Sequence, residues 1–167
     1  PLTGLADLQA QTLIRATVTH SAGSSEVRQL SSTPIAWDNS GKRGVGIRGW
    51  YFDLADGEMI LDQPFMLGDV LFVTVGQPSA DPCNAGITYW LLAVNPRTGG
   101  ALDFNVFDLV GDGSFSETAS GVRIDGPVTR IGDSLYTPDG SRLPVQLFDP
   151  VNQGRFNWRI MNYNLPV

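Results

Sequence analysis

Residues 63–75 read QPFMLGDVLFVTV, and residues 126–140 read GPVTRIGDSLYTPDG. Each stretch has a proline, a short apolar run, a Gly-Asp pair and a second run, the form of a β-hairpin whose turn is carried by glycine. Such an echo inside one chain marks a repeated supersecondary unit. After the first copy the chain passes through the loop PSADPCNAG into ITYWLLAVNP and the turn RTGG. The run from about Trp50 to Gly100 therefore reads as proline, strand, Gly-Asp, strand, loop, strand, turn. That is the form of one four-stranded antiparallel propeller blade, and equally of a meander from a sandwich or barrel.

Outward from this unit, strands and turns continue. TLIRATVTH alternates and is rich in β-branched residues, SAGSS breaks it, and EVRQLSS returns as the second arm of a hairpin. DNSGKRGVGIRG is a glycine-rich basic loop leading to the aromatic strand WYFDL. The apolar run DVLFVTVGQ predicts a strand buried on both faces. No segment keeps a 3.6-residue apolar period over three turns. GLADLQAQTLI is at most a short helix at the start.

Composition narrows the function. The 167 residues are 42% hydrophobic and 17% charged, which predicts a packed core. A formal net charge of -6 leaves no basic stripe to neutralise phosphates and speaks against nucleic acid as a partner. One cysteine, Cys83, and one histidine, His20, cannot assemble the usual Cys/His zinc sites. Any Ser-His-Asp or Cys-His hydrolase would have to use His20, which reads as an exposed residue where a strand enters a turn. The longest apolar stretch is interrupted by Asp62, Gln63, Pro64 and Asp69, so no bilayer-spanning helix is predicted. The chain starts at Pro1 without a methionine and shows no signal-peptide pattern, as expected of an excised piece, a proteolytic fragment or a mature product.

An ordered set of motifs extends from about Ala6 to Tyr163. It comprises ADLQAQTL, then Gly49-Trp50-Tyr51, the Asp81-Pro82-Cys83 loop, the Trp90 strand, Thr98-Gly99, the Val106-Phe107-Asp108 strand, SGVRIDGPV and the closing GRFNWR. In this order the chain resembles the C-terminal β-propeller region of PilY1-type proteins, the type IV pilus tip adhesins and biogenesis factors. The resemblance implies an all-β fold, with residues 1–167 as the last blades of the ring. At roughly 40–50 residues per blade, about three blades fit, a partial ring whose open faces need the rest of the parent chain as cover.

The resemblance also implies a calcium loop after the equivalent of Asp108, of the type D-x-N-x-D-G. Here position 1 is Asp108 and position 5 is Asp112, but position 3 is Val110, which has no side-chain oxygen. Ser114, Ser116 and Glu117 are the further oxygen donors, and Ala119 stands where a bidentate acid is wanted. The loop reads as a degenerate relative of a calcium site. Asp112-Gly113 as a tight turn is the favoured reading, with calcium as the alternative. No other cofactor is expected.

Trp37, Trp50, Trp90 and Trp158, with Tyr51 and Tyr89, read as core aromatics rather than a sugar-stacking platform. Cys83 reads as a small buried hydrophobe rather than an exposed thiol. Lys42, Arg43 and Arg48 form the local basic patch, a solvated loop by default. The expected function is that of a non-enzymatic module outside the cell, at the surface or pilus tip, or passing through the periplasm and outer membrane. Its expected partners are the remainder of the propeller, minor pilins, and a host or abiotic surface. Two alternatives stand beside it. One is a fragment of a quinoprotein-type propeller enzyme, because YWLLAVNPRTGGAL also looks like that repeat, and the other is a purely structural ring-closing segment.

Overall fold

The computed structural model describes residues 4–37, 46–81, 83 and 85–149. Its strands are β1 (Leu8–Gln11), β2 (Leu13–His20), β3 (Gly23–Leu30), β4 (Gly49–Phe52), β5 (Met59–Ile60) and β6 (Phe65–Leu67). They continue with β7 (Val70–Pro78), β8 (Ile87–Val94), β9 (Gly121–Ile124), β10 (Thr129–Ile131), β11 (Ser134–Tyr136) and β12 (Arg142–Leu143). The all-β expectation holds among the described residues. In place of a helix at the start, a 3-10 turn at Leu5–Asp7 leads directly into β1.

The strands do not fall into separate four-stranded meanders. Seven of them make one antiparallel sheet in the order β2-β3-β9-β8-β7-β5, with β6 also pairing β7. The β4 strand, expected to open the blade, pairs instead in parallel with β1, and β10-β11-β12 form a third sheet. Pairing is uneven across the large sheet. The β2-β3 and β7-β8 ladders run for eight registered pairs each, whereas β3 meets β9 through only Val27↔Val122 and Arg28↔Gly121.

Both members of the sequence echo are hairpins. Leu67 faces Val70 across Gly68-Asp69, and Ile131 faces Ser134 across Gly132-Asp133. Gly68 and Gly132 have φ of 59° and 60° while no non-glycine residue among the described residues has positive φ, which is the two-residue II′ arrangement. Gly68 is also packed: an added Cβ would lie 2.7 Å from the Leu147 carbonyl oxygen, whereas Gly132 has open space.

The large sheet is buried on both faces, as the run in β7 predicts. Val70 and Phe72 of β7 join Leu91, Ala93, Val27 and Ile124 on one side. Val73 and Val75 join Trp90, Leu92, Val94 and Leu30 on the other. Each large aliphatic or aromatic side chain so buried contributes about 1.5–3 kcal/mol. The first face is covered by the segment through Val106 and Phe107 and by Leu135, and the second by Trp50, Phe52 and Leu54 of β4 and the residues after it.

Two buried polar knots fasten the outer segments. The Gln11 amide donates to the carbonyls of Thr33 and Thr98 at 2.8 and 2.9 Å, and its oxygen accepts from Ser31 Oγ and Thr33 N–H. The Arg28 guanidinium, 2% exposed, pairs with the buried Glu58 carboxylate and lies over the Trp90 ring. Glu58 in turn accepts from the Ala55 N–H at 3.1 Å, which ties the turn before β5 onto the sheet. Burial pulls the Arg28 pKa down, as does neighbouring Arg15, and Glu26 opposes them.

Candidate functional site

The segment before Asp108 is not a regular strand. Phe107, 2% exposed, makes an isolated antiparallel bridge to Val145, and the Val106 carbonyl accepts from the Gln146 N–H at 2.8 Å. This plants the start of the loop firmly in the core. Its far end is held by the Asn105 amide, which donates to the Phe115 carbonyl at 2.9 Å.

Between these anchors the Asp108 carboxylate is turned inward on the backbone. Its Oδ1 accepts from the N–H groups of Val110 and Gly111 at 3.2 and 2.7 Å, and its Oδ2 from Gly113 at 2.8 Å. Gly111 and Gly113 adopt φ of 79° and 83°, which lets their amides converge on one carboxylate. Burial acts to raise the Asp108 pKa, but the amides of Gly113, Gly111, Val110 and Asp112 outweigh it and hold the carboxyl below its ordinary value.

The remaining candidates form a second group. Asp112 Oδ1 accepts from the Ser114 N–H at 2.8 Å, the Ser114 and Ser116 hydroxyls lie 3.2 Å apart, and Ser116 Oγ donates to Glu117 Oε1 at 2.8 Å. Glu117 Oε2 is buried without a partner among the described residues. A carboxylate offers about four lone-pair sites, and three on Asp108 are already engaged. A calcium ion asks for six to eight oxygens. No group of three or more His, Cys, Asp or Glu suited to a metal exists among the described residues.

Beside the loop lies a half-open cavity of ≈ 370 Å³, lined by Ser25, Phe107, Asp108, Leu109, Val122 and Leu143 among others. It opens where the β3-β9 ladder stops. His20 stands nearby on β2, with Nε2 2.9 Å from Ser25 Oγ and Nδ1 buried without a partner among the described residues. The strand-end position of His20 is as read from sequence, but the side chain is half-buried because it folds across the hairpin onto Ser25.

Cys83 is exposed, contrary to the buried reading, because it sits in a turn whose N–H is taken by Asp81 Oδ1 at 2.9 Å. Trp90 is core at 2% exposure and Trp37 is 44% exposed. Trp158, Lys42 and Arg43 lie outside the described residues.

The chain is 35% identical over 113 residues, 61% of its length, to the type IV pilus biogenesis factor PilY1 of Pseudomonas aeruginosa strain UCBPP-PA14. It is 29% identical over a 179-residue alignment, 92% of its length, to PilY1 of the PAO1 strain of the same species. Its fold matches the crystal structure of the Pseudomonas aeruginosa PilY1 C-terminal domain with a TM-score of 0.70 and 25% identity, covering 89% of this chain. In sequence and in fold the chain resembles the PilY1 C-terminal region. It spans 10% and 15% of the two PilY1 sequences and 34% of the crystallised chain. No protein-family model matches it.

Two motifs of the PilY1-type resemblance meet in space. The Trp50 indole N–H donates to the Pro96 carbonyl at 3.1 Å, and a Cβ on Gly99, whose φ is 69°, would run into the Trp50 ring. The Gly-Trp-Tyr and Asn-Pro-Arg-Thr-Gly-Gly stretches are thus two halves of one contact. Sequence reading missed Gln11, Glu58 and Arg28, whose burial no local pattern announces. The one available signal was their position beside strongly apolar strands.

Proposed function

We propose that this chain is the closing part of a PilY1-type C-terminal propeller and acts, without catalysis, in type IV pilus biogenesis. The supporting observation is the likeness to the PilY1 C-terminal domain over 89% of the chain. In this reading residues 1–167 are the closing part of the ring, built on one seven-stranded sheet and two smaller ones rather than on separate four-stranded blades, and the upstream parent chain completes it. The module works at the cell surface or pilus tip, docks on minor pilins, and through them or directly takes part in attachment to surfaces. No helix among the described residues is long and apolar enough to cross a membrane.

The 108–117 loop serves as a rigid turn in this reading, and Asp108, Asp112, Ser114, Ser116 and Glu117 do not hold calcium. Three backbone amides on Asp108 support it.

The test is capture of the purified chain on a minor-pilin complex and, separately, on its upstream segment, each with calcium and with EGTA. Retention on the pilins in both buffers is the expected result. Retention on the upstream segment alone would reduce the chain to a structural ring-closing role, and loss of pilin binding in EGTA would overturn the reading of the loop.

A further inference from the structure

The large sheet ends at β2, which pairs only with β3 among the described residues. The eight-pair ladder between them is unbroken, so β2 carries no bulge, and LIRATVTH contains neither proline nor lysine. Those are the usual devices that blunt a sheet edge. The one charged side chain on the strand does not guard it either. Arg15 leans back over the sheet, donating to Gln77 Oε1 at 2.9 Å and lying 3.9 Å from both Glu26 and Glu58.

The direction of the main-chain groups on β2 follows from the bond at its start. The Ser31 N–H donates to the Thr12 carbonyl at 2.9 Å, and N–H and C=O groups alternate sides along a strand. Even-numbered residues of β2 therefore bond to β3, and the N–H and C=O groups of Leu13, Arg15, Thr17 and Thr19 point outward from the edge. Ile14, Ala16 and Val18 share one face, on which Ala16 and Val18 pack against the core and Ile14 is 56% exposed. About Ala16 the strand is self-complementary. In a two-fold antiparallel pairing centred there, Ile14 meets Val18 of the second copy, Arg15 meets Thr17 and Leu13 meets Thr19. No like charges oppose one another, Ile14 gains an apolar neighbour, and the four outward residues of each copy supply about eight main-chain bonds in all.

We propose that the β2 edge binds a second copy of this chain, strand against strand with Ala16 on the two-fold axis, so that the two large sheets continue into each other. The contact goes beyond the pilus role and does not depend on it.

Sedimentation velocity of the intact 167-residue chain over a range of concentrations tests it, and a monomer–dimer equilibrium is the expected result. Thr17→Pro removes an outward N–H and no bond to β3, so it should weaken the dimer by about tenfold or more. Thr17→Lys, which sets a charge on the edge and leaves the backbone as it is, should act in the same direction. Crosslinking under mild oxidation in a Cys83→Ser background reads the register. In Ala16→Cys the two thiols face each other in a non-hydrogen-bonded pair with Cα atoms about 4.5 Å apart, and a disulfide-linked dimer should form. In Thr17→Cys each thiol faces Arg15 of the second copy, and no such dimer should form. A chain that stays monomeric at all concentrations would overturn the proposal, as would a dimer indifferent to both Thr17 substitutions or a preference for crosslinking through Thr17→Cys. So would growth beyond the dimer, because a two-fold contact closes on itself. Displacement of the second copy by the upstream segment of the parent chain would overturn it too, because the edge would then belong to the ring.

Discussion

The Arg28 guanidinium carbon lies 4.5 Å from the centre of the Trp90 ring, and the same guanidinium is paired with Glu58, both charged side chains being almost wholly buried. A cation held between an aromatic face and a carboxylate in this way is stable only as a set. Removing one member strands a charge in a region of low polarity.

Glu58→Ala should therefore destabilise the chain by about 3–5 kcal/mol, and Arg28→Met combined with Glu58→Leu should recover most of that loss. Urea midpoints of Glu58→Ala beside those of Arg28→Met, Glu58→Leu and their double variant, which close the cycle, check it. A cost below 1 kcal/mol for Glu58→Ala would show that water reaches the pair.

The two Gly-Asp hairpins give a matched comparison. Gly132→Ala should cost about 1–2 kcal/mol, the strain of a left-handed conformation alone. Gly68→Ala carries the same strain and adds a collision with the Leu147 carbonyl and side chain, so its cost should be clearly larger. Equal melting shifts in the two variants would mean that the residues around Leu147 yield without cost.

Asp139 makes a pH signature. Its carboxyl is held at about 2 by the Thr137 hydroxyl at 2.6 Å and by the N–H and hydroxyl of Ser141. An unfolded aspartate titrates near 3.9, so the folded form resists protonation. Its support for the turn between β11 and β12 is complete above about pH 4 and disappears as pH falls toward 2. The melting difference between the wild type and Asp139→Asn should be largest at pH 6 and much reduced at pH 2. A difference at pH 2 as large as that at pH 6 would locate the effect of the substitution elsewhere.

For the 108–117 loop, Asp108→Ala should cost about 1–2 kcal/mol through loss of its amide bonds, and Asp112→Asn should leave the melting temperature indifferent to chelator. Thermal scans in millimolar calcium and in EGTA decide the matter. A calcium-dependent rise that Asp112→Asn abolishes would make the loop a true cation site.

Much of the architecture was legible because its causes are local. The II′ turns at Gly68 and Gly132, the doubly buried run of β7 and the β2-β3 hairpin each arise from a few adjacent residues. Pairing partners were not legible. Nothing in Gly49–Phe52 distinguishes a blade strand from one that pairs in parallel with Leu8–Gln11, because that choice is settled by Trp50 packing on Gly99 from the far side of the β7-β8 hairpin. The candidate loop was half legible. Spacing identified Asp108 and Asp112, but whether a carboxylate faces a cation or its own backbone depends on how Gly111 and Gly113 turn, which side-chain counting does not show. Arg28 and Glu58, 30 residues apart, left no signal of their pairing beyond their place beside apolar strands.

The two-pair seam between β3 and β9 has a mechanical meaning. Backbone hydrogen bonds loaded together in a long ladder share the strain, whereas a short ladder yields pair by pair. The hairpin Leu13–Leu30 is therefore attached to the rest of the sheet more by side chains, with Arg28 and Leu30 lying against Trp90 and its neighbours, than by its ladder. Under tension the chain has a built-in tear line there. The β2-β3 unit would part from β7-β8 as an intact hairpin before either ladder of eight gives way.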